Sequence, residues 1–343
     1  MHPGTQPRCS RLSATARNRR PTATGLLDRL LRRRVIFVAG KGGTGKSTSA
    51  AALSLLAARA GKRVLAVDVD GKGDLGVALG SPRTGSQAQT VQPGISCLKL
   101  QPEEAFQEYL SIYFKVPRLA RLTPLARVFD FIATGVPGPR DMLVVGKIAY
   151  EQRRRQANGR PVWDIIVVDA AASGHVVSHL MAARNMLTLV HGGLISGQVQ
   201  WIDELVRDHQ RSTVVLCALP QEMPVVEAIE LNGELRDEVH IAVDCCLLNR
   251  AVIEDVSAAQ RKLVVAMADP GHRAAVAERL GGPPEPVAEA TDIASQLRTL
   301  AVKAQSDLAA GLDLPIVDVP LVVARPGLAT SRTIADHLAE VLA

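Results

Sequence analysis

Aromatic side chains make up only 3% of this 343-residue sequence: five Phe, three Tyr and two Trp. Proteins that bind single-stranded nucleic acid stack successive bases on aromatic platforms, and this chain has few residues from which to build them. Cysteine is also sparse: Cys9, Cys97, Cys217, Cys245 and Cys246, with no C-x-x-C pair. Cys217 and Cys245-Cys246 fall in apolar β-type runs, where cysteine acts as a small core residue. Adjacent strand residues point to opposite faces, so the 245–246 pair does not chelate one metal. This usage argues against a disulfide framework or a zinc site. There is neither an 18-residue apolar span nor a continuous apolar secretory core. The expectation is a soluble, cytoplasmic protein, peripheral at a membrane at most.

The net charge of +6 is unevenly distributed. Residues 1–34 hold nine arginines against the single acid Asp28, a local charge of +8 that leaves −2 for the rest. The remainder therefore has no basic footprint for DNA, and no nucleic-acid partner is expected. The leader is rich in Pro, Thr, Ser and Arg and is expected to be disordered to Thr24, with a short helix over 25–34. Its composition fits a dispensable extension, an organellar transit peptide or an anionic-lipid contact. The division expected is a basic leader over 1–34 and one domain over 35–343.

The most informative stretch is Gly40-Lys-Gly-Gly-Thr-Gly-Lys-Ser-Thr48. It follows the apolar run 35–39 and opens a helical stretch, the strand–loop–helix setting of a phosphate-binding loop. Gly40, Gly42, Gly43 and Gly45 let backbone N–H groups turn around a β-phosphate, and the new helix adds its positive end. Lys46 would bridge β- and γ-phosphates, and Ser47 would ligate Mg²⁺. Thr44 and Thr48 complete the loop.

Short apolar runs at 35–39, 64–69, 165–169, 213–218, 241–248 and 314–319 alternate with helical stretches. They predict an α/β fold, a doubly wound and mostly parallel sheet with helices on both faces. The phosphate loop then lies at the carboxyl edge of the sheet, where other ligand residues should gather. Two runs end in aspartate. Val64-Leu-Ala-Val-Asp-Val-Asp70 ends in D-x-D, and Asp70 would either orient an attacking water or cap a turn. Trp163-Asp-Ile-Ile-Val-Val-Asp169 reads as a Walker B strand, with Asp169 holding Mg²⁺ through water. The Gly174 loop after it suits a nucleotide-sensitive switch. Residues 102–157 are too long for a simple crossover and read as a mostly helical insertion.

Three motifs together resemble the ArsA/Get3 family of anion-transporting and tail-anchor-targeting ATPases, which are deviant Walker A P-loop NTPases of the SIMIBI type. They are the loop 40–48, Asp70-Gly-Lys-Gly-Asp-Leu-Gly-Val-Ala-Leu-Gly80 as switch I with Asp74, and Asp169-Ala-Ala-Ala-Ser-Gly-His175 as switch II. Weaker echoes are Pro137-Gly138, the segment Leu219–Glu230, and Leu247-Leu-Asn249-Arg. The resemblance implies ATP and Mg²⁺, a nucleotide-bound dimer, a signature Lys41 donated across it, Asp70 as activator of water, His175 as a switch relay and Asn249 as a reader of adenine. The Asn249 position equally suits a strand-end turn.

The sequence departs from the family pattern in two places. Gly71 and Gly73 stand where switch I has Pro and His, and Ala171-Ala172 stands where switch II has a Pro. Both loops should be looser and hydrolysis slow. The single-repeat length is similar to that of actinobacterial ArsA-like ATPases, so a homodimer or a heterodimer with a related subunit is expected, serving a client or membrane partner. Two alternatives remain: a weakly hydrolysing regulatory subunit, and a septum- or partition-type positioning ATPase.

Overall fold

A computed structural model describes residues 25–69, 73–81, 84–100, 139–188, 193–267 and 269–343. Its strands are β1 (Val35–Gly40), β2 (Val64–Asp68), β3 (Gln89–Gln92), β4 (Ile95–Lys99), β5 (Ile165–Asp169), β6 (Ser212–Ala218), β7 (Ala242–Ala251) and β8 (Ile316–Pro320). They form one sheet in the order β3-β4-β2-β5-β1-β6-β7-β8. Only the β3–β4 pairing is antiparallel. β1, β2, β5 and β6 are buried at every position, because helices cover both faces and each side of the pleat needs an apolar residue.

Two cores follow from that pleat. Ile36 and Val38 face a layer that includes Leu53 and Leu56 of α2 (Lys46–Arg59), with α3 (Asp74–Ala78) at its edge. Val35, Phe37 and Ala39 face the opposite layer. That layer is built from α4 (Pro139–Arg153), α5 (Ser173–Leu187), α6 (Gly193–Arg207), α7 (Glu222–Glu234) and the C-terminal half of a long helix over Glu285–Gly311. The neighbours Cys245 and Cys246 lie in different layers, as alternation requires.

Residues 25–34, which the expected boundary at Val35 leaves in the leader, pack against the rest of the fold. Helix α1 (Leu26–Arg32) buries Leu26 and Leu30. It is tied to the chain terminus by Gly25 N–H to Ala343 O at 3.2 Å and Leu27 N–H to Leu342 O at 2.9 Å. Arg33 then forms a buried fork with Asp244, Nε to Oδ2 at 2.8 Å and Nη2 to Oδ1 at 2.7 Å. Apolar spacing and a buried ion pair thus make 25–34 part of the fold.

Of the expected insertion over 102–157, α4 accounts for the apolar stretch 142–150. Residues 102–138 of that insertion, Pro137-Gly138 among them, lie outside the described residues. A second helical excursion between β7 and β8 was not foreseen. It comprises α8 (Ala258–Met267), α9 (Arg273–Leu280) and α10 (Glu285–Gly311). α8 and α9 have no buried residue. The last helix, α11 (Leu328–Val341), packs Ile334, Ala335 and Leu338 beside α2. Among the described residues no helix is long and apolar enough to cross a membrane.

Candidate functional site

The loop 40–45 joins the tip of β1, the centre of the sheet, to the start of α2. Its two ends are fixed by close packing. Gly40, at φ +156°, would bring a Cβ within 2.3 Å of the Cys217 carbonyl oxygen on the neighbouring strand. Gly45, at φ +88°, would bring one within 2.0 Å of Asn249 Nδ2. No side chain fits at Gly40 without moving the Cys217 backbone, and one at Gly45 would have to displace the Asn249 amide against a left-handed φ that itself favours glycine. Gly42 and Gly43 are exposed, with open space where a Cβ would stand.

Polar contacts hold the loop in shape. Thr44 is fully buried and donates its Oγ1 to the Lys41 carbonyl at 2.8 Å. Lys46 is only 7% exposed, and its Nζ donates to that same carbonyl at 3.1 Å. A buried ammonium satisfied by one carbonyl of the loop fits an anion seated there, since further N–H donors of Lys46 remain for it. The first-turn N–H groups of α2 have no carbonyl partner within the helix, and Ser47 and Thr48 stand half-buried in that turn. These residues fit a nucleotide phosphate chain.

Strand tips surround the loop. Asp169 ends β5, 4% exposed, in register with Val38 of β1 on one side and Asp68 of β2 on the other. Lys46 and Asp169 act electrostatically on the Cys217 thiol in opposite directions, the ammonium lowering its value and the carboxylate raising it. Burial pushes that thiol up to about 12, outweighing the opposing pull of Ser49 and Lys46, so it is inert as a nucleophile at neutral pH.

Asn249, near the end of β7, is 4% exposed and donates Nδ2 to the Thr44 carbonyl at 2.9 Å. The residue after it, Arg250, has φ +57°. Lys41 projects from the loop with its side chain 45% exposed, and its Nζ pairs with Glu227 Oε1 of α7 in the same chain. Asp74 and Gly174-His175 are exposed in the first turns of α3 and α5. His175 stacks on His179, centroids 6.5 Å apart, and His179 Nε2 lies 3.2 Å from Asp141 Oδ1 of α4. The start of α5 is therefore linked to the first turn of α4. Asp70 lies outside the described residues.

Two residues near the site were not assigned a role from the sequence. Asp68 is 1% exposed, and its Oδ2 accepts the Gly73 N–H at 2.9 Å, tethering the residue before α3 to β2. Its signal was the first Asp of D-x-D, overshadowed by Asp70. Glu227 had no signal beyond its place in the segment 219–230.

Comparison with known proteins follows this geometry. The family profile described as anion-transporting ATPase matches residues 33–192. The ATPase BagA of Mycobacterium tuberculosis is 32% identical over 236 residues, 67% of this chain and 69% of that protein. The ATPase get3 of Schizosaccharomyces japonicus is 26% identical over 162 residues, 46% of this chain and 47% of that protein. The chain belongs to the anion-transporting ATPase (ArsA) family.

Proposed function

We propose that this chain binds ATP at the loop 40–48 and hydrolyses it to cycle a dimer between open and closed states on behalf of a client or membrane partner. The observation that carries the reading is the buried Lys46 ammonium folded onto the Lys41 carbonyl at the mouth of α2. Membership of an ATPase family supports the choice of nucleotide.

On this reading Lys46 and the first-turn N–H groups of α2 hold the β- and γ-phosphates. Mg²⁺ carried with the nucleotide would neutralise charge on the phosphate oxygens, with Ser47 and, through water, Asp169 as its protein partners. Lys41, donated by the partner protomer, concentrates positive charge where the leaving oxygen gains negative charge. Asp70 orients the attacking water. Asp74, Gly174 and His175 sit at the ends of switches that respond to the γ-phosphate, and the His179–Asp141 contact passes movement of α5 to α4. Asn249 braces the loop through Thr44 and leaves its Oδ1 for the base.

The test is calorimetric titration of ATP with and without Mg²⁺, paired with phosphate release. Lys46→Ala should abolish binding. Lys41→Ala should bind normally and turn over slowly, and Asp70→Asn should do the same. Wild-type protein with no affinity for MgATP, alone or with a related subunit, overturns the reading.

A regulatory subunit that binds ATP and barely hydrolyses it is the second reading, favoured by Ala171-Ala172, which removes the stiffness of the usual switch II proline. Single-turnover hydrolysis by the purified chain separates the two. A positioning ATPase of the septum or partition type is less well supported. Helix α11 commits its apolar stripe to the core, and its outward side sets Asp336 and Glu340 against the single Arg332, which leaves no net basic face for a membrane.

A further inference from the structure

The contact between Lys41 and Glu227 spans 186 positions in sequence and joins the tip of the phosphate loop to helix α7. The two ends of this pair differ. The lysine side chain is 45% exposed, while the carboxylate is 21% exposed. Glu227 Oε2 is buried and has no hydrogen-bond partner. A carboxylate kept only to stabilise a surface would leave both oxygens in water, and one kept to staple the core would have both oxygens satisfied. Glu227 has one oxygen on Lys41 and one on nothing.

Its position is dictated by the helix. Val225, Ala228 and Leu231 of α7 are buried against the sheet, which fixes the helix rotation. Glu227, between Val225 and Ala228, sits at the boundary of that buried stripe. The loop is anchored to the same strand that leads into α7: Gly40 abuts the carbonyl of Cys217, one residue before the end of β6. Loop tip and carboxylate thus share one rigid support, and the pair forms without help from a second subunit.

We propose that Glu227 is a positioning residue that holds Lys41 within its own subunit, and that breaking this pair is a step between the free protomer and the nucleotide-closed dimer. The inference rests on the reading that Lys41 acts across the dimer. One ammonium on one flexible stem cannot reach Glu227 and a partner's phosphates together, so the in-chain pair competes directly with transfer. Two-fold symmetry makes both pairs break in the same event. The competition raises the protein concentration at which ATP closes the dimer, and a fully exposed lysine would have no such threshold.

The decisive experiment has a nucleotide-free arm and a nucleotide arm, each on the full chain as wild type, Glu227→Gln, Lys41→Ala and the double variant. In the first, thermal midpoints without nucleotide form a double-mutant cycle. Non-additive midpoints support the hold, and additive ones overturn it whatever Lys41 does in catalysis. In the second, sedimentation with MgATP reads dimer formation. Glu227→Gln should tighten the dimer by about two- to thirtyfold, since each ion pair with one exposed end is worth about 1.4- to fivefold and two break per dimer. It should have no such effect once Lys41 is Ala, whereas a merely structural Glu227 would act equally in both backgrounds. Glu227→Asp should fall between wild type and Glu227→Gln. A dimer insensitive to Glu227→Gln, or weakened by it, overturns the gating step alone. Unchanged turnover in Lys41→Ala, or a chain that stays monomeric with MgATP, refutes the dimer reading and the gating step with it, and the nucleotide-free cycle still reports on the hold itself.

Discussion

Asn249 Nδ2 donates to the main-chain carbonyl of Thr44 at 2.9 Å, and both residues are buried. This one bond ties the tip of β7 to a loop 205 positions earlier. Removing the donor leaves a buried carbonyl unsatisfied, at a cost of about 1–3 kcal/mol. Asn249→Ala should therefore lower the thermal midpoint of the nucleotide-free protein by several degrees and weaken ATP binding. The comparison with GTP assigns the residue. A brace acts before any base arrives, so both affinities should fall by the same factor. A base reader would lose ATP selectively, and calorimetry with the two nucleotides reads the difference.

The loop glycines should rank by what surrounds them. Gly43→Ala meets open space and pays only for its φ of +84°, about 1 kcal/mol. Gly45→Ala adds a collision with the Asn249 amide, a side chain able to swing aside at the expense of its bond to Thr44. Gly40→Ala collides with the Cys217 backbone, which cannot move without disturbing the central strand pair. Chemical denaturation should give losses in the order Gly43, Gly45, Gly40. Equal losses at all three would mean that left-handed backbone strain, not packing, sets the cost.

The sheet was legible because its central strands are continuous apolar runs between helices, a pattern with few other solutions. The edge was not. β3 reads Gln-Thr-Val-Gln, polar enough to pass for a loop, and is held in place by pairing with β4. Helices α8 and α9 bury nothing, and α8 leaves Leu263 and Val265 exposed, so apolar residues there do not mark a core-facing stripe. Residues 25–34 pass for leader because their arginines look like leader composition until Arg33 is seen beside Asp244, 211 positions away. The same holds at the site. The loop and Asp169 could be read from local motif alone, whereas Glu227 and the Thr44–Asn249 bond are long-range contacts that no local pattern encodes. Asp68 stood within a recognised motif, yet only its bond to Gly73 distinguishes it from Asp70 as a structural tether.

The Arg33–Asp244 fork should be costly to halve and cheap to replace. Its side chains are 10% and 6% exposed, so removing either partner strands a buried charge. Arg33→Ala should destabilise by about 3–5 kcal/mol. Arg33→Met combined with Asp244→Leu puts apolar groups of similar size on both sides and should return most of the loss. Arg29, which also approaches Asp244 at 3.3 Å, will hold part of the aspartate's charge in the single variant and moderate its effect. Urea unfolding of the three proteins measures this. A double variant as unstable as Arg33→Ala would show that the fork itself, not charge balance, fixes α1 to β7.

A half-buried carboxylate on β8, Asp318, sets a pH dependence of opposite sign to the usual one. Burial raises the Asp318 carboxyl above its ordinary value, against weaker opposing pulls from Arg298 and then His337. Its Oδ1 is enclosed without a hydrogen-bond partner. An acid whose value is raised on folding favours the neutral form in the native state. Its contribution is therefore fully present below the ordinary aspartate range and is lost as pH rises through the raised folded value. Asp318→Asn keeps the shape and stays neutral, so it should be more stable than wild type at pH 7.5, with the advantage disappearing as pH falls below about 4. Asp164 has the reverse slope. The paired Arg63 hydrogen bonds hold Asp164 at about 2, so its contribution is present above the ordinary aspartate value and is lost as pH falls through about 2. That slope is common to both proteins and cancels in the difference. The quantity to measure is thus the stability of Asp318→Asn minus wild type from pH 4 to 7.5, and a flat difference would place the cost of Asp318 in shape instead of charge.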